Sequence, residues 1–138
     1  MNKHVTLSIS AFLLALLCLL SLASCGNAPW KDAIYTEDTT LGTGSKTVEV
    51  EVQVEDHTVL FTIQTDKATL GEALLELDLI AGENSTYGLY IKKVNGITAD
   101  YDVDGHYWGF YQNGEYCMVG VDATTIAGGE HFELIYEK

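Results

Sequence analysis

The stretch "TVEVEVQVE", Thr47–Glu55, alternates valine with polar side chains along its whole length. Valine stands at every second position from Val48 to Val54, and the positions between hold glutamate or glutamine. Because successive side chains of a β-strand point to opposite faces, this period of two predicts a strand with one buried and one solvated face. Antiparallel sheets that are covered on one side have this pattern. The stretch therefore predicts a sheet-based domain.

A second strand is expected directly after the first. Asp56 and His57 predict a turn, and Val59, Phe61 and Ile63 continue the inward-facing apolar positions. The same period of two indicates a strand. Together the two strands predict a hairpin at the start of the domain.

The period then changes to that of a helix. Thr69 and Glu72 have the spacing of a capping box, in which each side chain satisfies an amide of the first turn. Apolar residues continue at helical spacing, which predicts a short helix over residues 70–79. The segment Gly82–Thr86 is expected to break it, and strands are predicted again in "TYGLYIKKV", "YWGFY" and "EHFELIYEK". This order predicts an α+β fold: a small β-grasp-like domain of mostly antiparallel sheet with one short helix.

The N-terminus has the pattern of an export signal. Residues 1–24 begin with a short basic segment that contains Lys3 and continue as an uncharged apolar run. Leu22–Cys25 then matches a bacterial lipobox. We therefore predict a lipoprotein signal peptide, with Cys25 as the lipidated residue. An ordinary secretory signal or a single membrane helix are the alternatives, and the Gly-Asn-Ala-Pro that follows Cys25 favours an exposed tether. The protein is expected to be exported and anchored by lipid to the bacterial cell membrane, facing outside the cytoplasm.

The rest of the chain divides into a linker and a domain. Residues 25–46 show no sustained periodicity and contain the one proline of the sequence, so we predict a lipidated cysteine followed by a flexible linker. Trp30 and Tyr35 are interpreted as solvent-exposed linker aromatics. Residues 47–138 are predicted to form one small domain with a modest core.

Charge and cysteine content exclude several classes of function. The chain has 20 acidic and 7 basic residues, for a net charge of −13, and all of its basic residues are lysine. Such a surface repels nucleic acid and offers no guanidinium clamp for a polyanion. Cys117 is the one cysteine outside the signal and the predicted lipid site. We interpret it as a small apolar side chain in a strand, the alternative being a reactive thiol.

An acidic segment resembles part of a calcium loop. Asp100, Asp102, Asp104 and Gly105 match the first, third, fifth and sixth positions of an EF-hand-type loop. The twelfth position, which should be an acid, is Tyr111. We therefore expect a solvated acidic turn, with a weak calcium contact at the three aspartates as the alternative.

An aromatic hairpin follows this segment. On the strand, Tyr107, Gly109 and Tyr111 share one face, and Trp108 and Phe110 share the other. An Asn-Gly pair then gives the strongest short hairpin signal. We predict that Trp108 and Phe110 pack into the core. The tyrosines and their glycine gap would then form a surface suited to a flat ring system, the alternative being that they too are partly buried packing.

Four stretches together resemble one family: "TLGEALLELDLI", "YGLYIKKVNGI", "YWGFYQNGE" and "VGVDATTIAGGEHFELIY". In this order and spacing, over about residues 47–138, the sequence resembles the transcobalamin-type C-terminal domain family. That family includes the β-domain of the cobalamin carriers and many bacterial surface lipoproteins. The resemblance implies a β-grasp-like fold.

The resemblance also implies a ligand. In the carriers this domain closes over one side of cobalamin while a separate helical domain grips the other, so half of that clamp is expected here. The segments that match place the implied ligand contacts at Tyr87, Gly88, Tyr107 and Trp108, and the hairpin adds Tyr111. A cobalamin or other corrinoid is the implied ligand, with a transporter as the implied protein partner. No cofactor is required for such a role.

Catalysis is not expected. His57, His106 and His131 are scattered, without the spacing of metal ligands and without a serine or cysteine motif beside them. We interpret them as turn and strand-end residues. The leading hypothesis is thus a surface-anchored, non-catalytic binding module, and the alternative is a structural or adhesive cell-envelope domain that mediates protein–protein contacts.

Overall fold

The structure, a computed structural model, describes residues 28–138. The predicted signal peptide, residues 1–24, and the predicted lipid site at Cys25 lie outside the described residues. Asp32–Lys138 forms one compact unit, and residues before it belong to a separate unit. Within residues 28–138, no helix has the length and apolar character needed to span a membrane.

The described residues form a small β-rich domain, as predicted, with few short helices where the sequence predicts one. Its strands are β1 (Thr39–Gly42), β2 (Lys46–Val54), β3 (His57–Thr65), β4 (Ile80–Ser85), β5 (Gly88–Val94), β6 (Ile97–Thr98), β7 (Tyr107–Gln112), β8 (Glu115–Tyr116) and β9 (His131–Glu137). The helices are α1 (Leu70–Glu76) and the single turn α2 (Tyr101–Asp104), with 3₁₀ turns at Pro29–Asp32 and Val121–Ala123.

The strands form two sheets. The larger has the order β1-β3-β2-β9-β7-β8, and the smaller has the order β4-β5-β6. In the larger sheet β1 runs parallel to β3 and β2 runs parallel to β9, while the other neighbours are antiparallel. The smaller sheet is antiparallel throughout. The pairing is thus mostly antiparallel, as the sequence predicts.

The core lies where the alternation places it. The four valines of β2 and the inward residues of β3 are at most 1% exposed. Phe132 and Leu134 of β9 continue this apolar face with no exposed surface. Leu70, Ala73 and Leu74 of α1 are also fully buried. The period-two and helical predictions of the buried residues are therefore confirmed.

The helix begins as predicted and ends early. The amide of Glu72 donates to Thr69 Oγ1 at 3.3 Å, and the amide of Thr69 donates to Glu72 Oε2 at 3.4 Å, so the capping box is confirmed. The helix ends at Glu76 rather than at residue 79. A Cβ at Gly71 would lie 2.9 Å from the backbone of Asp122, so the helix and the 3₁₀ turn Val121–Ala123 approach closely.

Residues 32–46 belong to the folded unit, where the sequence predicts a linker. The strand β1 pairs along the edge of β3. The Asn95 side chain makes two hydrogen bonds with the Tyr35 backbone. Its Oδ1 accepts from the Tyr35 amide at 2.9 Å, and its Nδ2 donates to the Tyr35 carbonyl at 2.8 Å. The Tyr35 ring also packs edge-on against Phe61, at 5.6 Å between centroids. The segment carries no apolar period because main-chain pairing and one buried asparagine hold it.

Two further segments differ from the sequence-based prediction. The expected break at Gly82–Thr86 lies largely within β4, which pairs with β5 through a bulge at Ala81 and Gly82. All residues of β4 after Ile80 are exposed, so the strand shows no alternation of apolar side chains. The expected acidic turn contains a turn of helix, α2, which Asp100 caps.

Candidate functional site

The aromatic strand β7 has the two faces that its period predicts. Trp108 and Phe110 are each 8% exposed. The Trp108 ring packs edge-on against Tyr136 at 5.5 Å, and the Phe110 ring stacks on Phe132 at 5.7 Å. These two side chains therefore belong to the core side of the sheet, and their predicted burial is confirmed.

The tyrosine face of β7 is organised around one carboxylate. The Tyr111 hydroxyl donates to Glu137 Oε1 at 2.6 Å, and this hydrogen bond raises the pKa of Tyr111 to about 12. A hydrogen bond with the same carboxylate raises the pKa of Tyr107. A Cβ at Gly109 would lie 2.6 Å from Glu137 Oε2. The glycine gap that we predicted for a flat ring is thus filled by Glu137, a side chain that the two-residue period of β7 could not reveal.

An aromatic groove lies instead between the two sheets. Residues 107–110 of β7 and Leu89–Ile91 of β5 form its walls, and the segment Tyr116–Val121 forms its rim. The cavity has a volume of about 200 Å³, and no residue that lines it is charged. Trp108 Nε1 is buried without a hydrogen-bond partner. The groove can therefore offer apolar contact and ring faces to a ligand.

The structure brings only some of the predicted contacts together. Tyr107 and Trp108 line the groove. Tyr111 does not line the groove, and its hydroxyl donates to Glu137. Tyr87 is 94% exposed, and Gly88 adopts a φ of +102° where a Cβ would lie 2.7 Å from Asp122 Oδ1. Tyr87 and Gly88 thus precede the groove-lining residues of β5 without lining the groove themselves.

The rim of the groove is apolar and exposed. Tyr116, Met118 and Val119 are 64%, 90% and 55% exposed. The same segment also borders a second cavity of about 480 Å³. Cys117 between them is half-buried, and burial raises the pKa of its thiol, with the charge of Glu133 adding to the effect. The neutral thiol is favoured at neutral pH, which fits the predicted apolar role.

Two of the three aspartates of the acidic segment accept hydrogen bonds from the backbone. Asp100 Oδ1 accepts the amide of Asp102 at 3.1 Å, and Asp104 Oδ1 accepts the amide of His106 at 3.0 Å. Among residues 28–138, these carboxylates do not form a group of ligand atoms within 4.8 Å of one another. The structure thus does not assemble the calcium loop that their spacing suggested.

A carboxylate–histidine cluster lies on the polar face of the large sheet, and we define it as Glu49, Glu51, His131 and Glu133. His131 Nδ1 lies 2.9 Å from Glu49 Oε2, and its Nε2 lies 3.4 Å from Glu51 Oε2 and 3.8 Å from Glu133 Oε1. The hydrogen bond with Glu49 raises the pKa of His131. Glu133 is only 8% exposed. His131 does begin a strand, as we interpreted it, but it also meets three carboxylates.

Residues 67–138 match the family described as "Domain of unknown function (DUF4430)", which is more than half of the chain. The chain belongs to the DUF4430 family. This DUF4430 chain has no match among the curated proteins.

The solved structures that resemble the DUF4430 chain include the following two. A protein from Ruminococcus gnavus ATCC 29149, described as a proposed metal-binding protein, has 34% sequence identity and a TM-score of 0.64, over 68% of this chain and 98% of that one. Haptocorrin, crystallised in complex with Cbi, has 20% identity and a TM-score of 0.56, over 71% of this chain and 26% of that one. The transcobalamin-like fold that the resemblance implied is confirmed. The DUF4430 chain spans about a quarter of haptocorrin.

Sequence analysis missed the cluster on the polar face of this DUF4430 domain. The signal was present in part, since Glu49 and Glu51 alternate on β2 while His131 and Glu133 alternate on β9. What the sequence could not give is the parallel pairing of β2 with β9, which sets Glu49 opposite His131 and Glu51 opposite Glu133.

Proposed function

We propose that this DUF4430 domain is a non-catalytic binding module that holds a planar ring ligand, such as a corrinoid, in the aromatic groove. The observation that carries the proposal is the uncharged lining of that groove, with Tyr90, Tyr107 and Trp108 among its walls. Aromatic faces and apolar side chains favour a flat, largely neutral ring system. Trp108, which lines the groove, also has a buried indole N–H without a hydrogen-bond partner, although buried donors are normally paired.

The size of the groove sets the expected strength of binding. Pockets that enclose a whole small molecule measure about 300–1,000 Å³. The groove measures about 200 Å³, so it would cover an edge of a corrinoid and leave the rest exposed. We therefore expect this chain alone to bind the ligand weakly, and a second protein surface to strengthen the binding. A transporter that receives the ligand would supply such a surface.

The related structures support a binding role. The Ruminococcus gnavus protein is described by its proposed metal binding, and haptocorrin was crystallised with Cbi. The second description supports a corrinoid as the class of ligand.

The cellular place of the module is part of the proposal. The lipobox at Leu22–Cys25 supports export and lipid anchoring, which would hold the groove outside the cytoplasm near a transporter. Labelled palmitate fed to the expressing cells should enter the wild-type chain and should not enter Cys25→Ser. Equal labelling of both chains would refute anchoring at this residue.

Absorbance titration of the full-length chain in detergent tests ligand binding, with cobinamide and cobalamin as probes. We expect a saturable spectral change for the wild type and weaker binding by Tyr90→Ala and by Met118→Ser. Both substitutions replace exposed side chains at the groove. Val103→Ser is the matched control, because Val103 is 79% exposed and lies outside the groove. No change at near-millimolar ligand, or equal binding by all variants, would refute the corrinoid proposal.

A second candidate is a cell-envelope domain that contacts another protein. The exposed apolar rim at Tyr116, Met118 and Val119 is the observation that favours it. Capture of one defined envelope protein by the wild-type chain, lost in Met118→Asp, would support this candidate if no corrinoid binds.

A further inference from the structure

We propose that Glu51, His131 and Glu133 bind one divalent transition-metal ion, and that Glu49 positions His131 for it. This site lies on the polar face of the large sheet. It is separate from the aromatic groove and does not depend on the proposed function. Four observations carry the proposal: strand pairing, ligand spacing, the contact with Glu49 and an unpartnered buried oxygen.

Strand pairing makes the cluster rigid. β2 and β9 are neighbours in the middle of the six-stranded sheet, where Glu51 lies directly opposite Glu133 and Glu49 directly opposite His131. Opposite and alternate residues of paired strands share a face. All the proposed ligands therefore project from regular strands with strands on both sides. Sites on such elements hold their geometry better than sites on loops.

The spacing of the ligand atoms suits a small ion. His131 Nε2 lies 3.4 Å from Glu51 Oε2 and 3.8 Å from Glu133 Oε1, and one ligand atom from each residue lies within 4.8 Å of the others. A tetrahedral zinc ion with nitrogen and oxygen ligands at about 2.0–2.2 Å separates those ligands by about 3.3–3.6 Å. Side-chain rotations that bring the ligand atoms closer by up to about 1 Å would therefore complete the contacts.

Glu49 orients His131 for metal binding. Its Oε2 lies 2.9 Å from His131 Nδ1, so in the neutral imidazole that nitrogen carries the proton and donates a hydrogen bond to the carboxylate. The lone pair then belongs to Nε2, the atom that faces Glu51 and Glu133. Histidines that bind metal commonly donate their other N–H to a carboxylate in this way.

Glu133 supplies the observation that points to a ligand. It is only 8% exposed, and its Oε1 accepts the amide of Gly114 at 2.8 Å. Its Oε2 is buried and has no hydrogen-bond partner. An unpaired carboxylate oxygen away from water is costly. Oε1 is the oxygen that lies 3.8 Å from His131 Nε2, so a metal ion would satisfy Oε2 by binding this carboxylate through Oε2 while Oε1 keeps the Gly114 amide.

The charge and the donor types select the class of metal. The cluster holds three carboxylates and one imidazole, so even a protonated His131 would leave a net charge of about −2, which a dication offsets. Imidazole nitrogen with carboxylate oxygen suits zinc and its first-row neighbours. Calcium prefers six to eight oxygen ligands, which three side chains do not supply. Glu51 and His131 have about a third of their side chains exposed, so water can complete the coordination.

Zinc titration by calorimetry tests the site on the full-length chain in detergent, after treatment with a chelator. The wild type, His57→Ala and Cys117→Ser should each bind zinc one-to-one, since His57 and Cys117 lie outside the cluster. His131→Ala and Glu133→Gln should weaken binding at least about tenfold, and Glu49→Gln by about 10- to 100-fold. Calcium should not compete with zinc for the site.

The variants are chosen so that a folding defect cannot imitate the result. Glu133→Gln keeps an acceptor for the Gly114 amide, and thermal unfolding of each variant would report loss of fold. Should His131→Ala fail to fold, nitrogen NMR of the wild-type imidazole decides: metal should bind at Nε2 of His131 while Nδ1 keeps its proton. Failure of the wild type to bind zinc, or equal binding by Glu133→Gln, would overturn the proposal, as would zinc bound elsewhere.

Discussion

The Tyr111 hydroxyl donates a 2.6 Å hydrogen bond to Glu137 Oε1, and the other oxygen of that carboxylate occupies the space above Gly109. Glu137 on the last strand thus occupies the tyrosine surface of β7 that the sequence predicted to be open to a ligand. The ligand site that we propose is instead the aromatic groove. There Trp108 meets the smaller sheet.

The tyrosine–glutamate contact predicts an unusual titration. Tyr111 should ionise with a pKa of about 12, because the phenolate would lose its hydrogen bond to Glu137 and face its negative charge. In Glu137→Gln the charge is gone, so the pKa of Tyr111 should fall toward the ordinary value of about 10. Ultraviolet absorbance of tyrosinate against pH measures this. An identical titration curve for the variant would show that the contact does not form in solution.

Asn95 should hold the segment before β2 in the fold. It is fully buried and pairs with the Tyr35 backbone through both atoms of its amide. We expect Asn95→Ala to lower the free energy of unfolding by about 1–3 kcal/mol more than Asn113→Ala does, measured with urea. Asn113 is the matched control because it has the same φ of 50° but is exposed. Equal losses in the two variants would mean that residues 32–46 are not anchored by this asparagine.

The capping box should contribute measurably to stability. Thr69→Ala removes the acceptor of the Glu72 amide and should cost about 0.5–2 kcal/mol of unfolding free energy. Thr69→Ser keeps the hydroxyl and serves as the control, since serine caps at least as well. Thermal or urea unfolding followed by circular dichroism gives both values. A loss in Thr69→Ser as large as that in Thr69→Ala would assign the effect to packing of the threonine methyl.

Cys117 should react slowly with thiol reagents. Burial, with the charge of Glu133, raises the pKa of its thiol, and the thiolate is the nucleophile. In a chain with serine at positions 18 and 25, a chromogenic disulfide should therefore modify Cys117 more slowly than it modifies glutathione at the same pH. Unfolding the chain in urea should remove the difference. Modification of the folded chain faster than glutathione would contradict a neutral, half-buried thiol.

Much of the fold was predictable because its core strands obey a local period. The valines of β2 and the pair Trp108 and Phe110 are buried as their alternation predicts. The strands without an apolar period, β1 and β4, were missed, since main-chain pairing rather than side-chain burial defines them.

The sites were less predictable because they depend on which strands become neighbours. Glu49 and His131 are 82 residues apart in sequence and 2.9 Å apart in space. Likewise Tyr87 lies in the turn between β4 and β5, where its ring is in solvent, although two residues later the chain lines the groove. A period along one strand carries no information about the strand beside it.

The most direct measurement of the central claim follows the indole N–H resonances of the isotope-labelled full-length chain as cobinamide is added. The chain has two tryptophans, and only Trp108 lines the groove, so Trp30 is an internal reference. A saturable shift of the Trp108 resonance with little change at Trp30 is the predicted result. No shift of Trp108 up to near-millimolar ligand, or equal shifts of both indoles, would contradict a ring ligand in the aromatic groove.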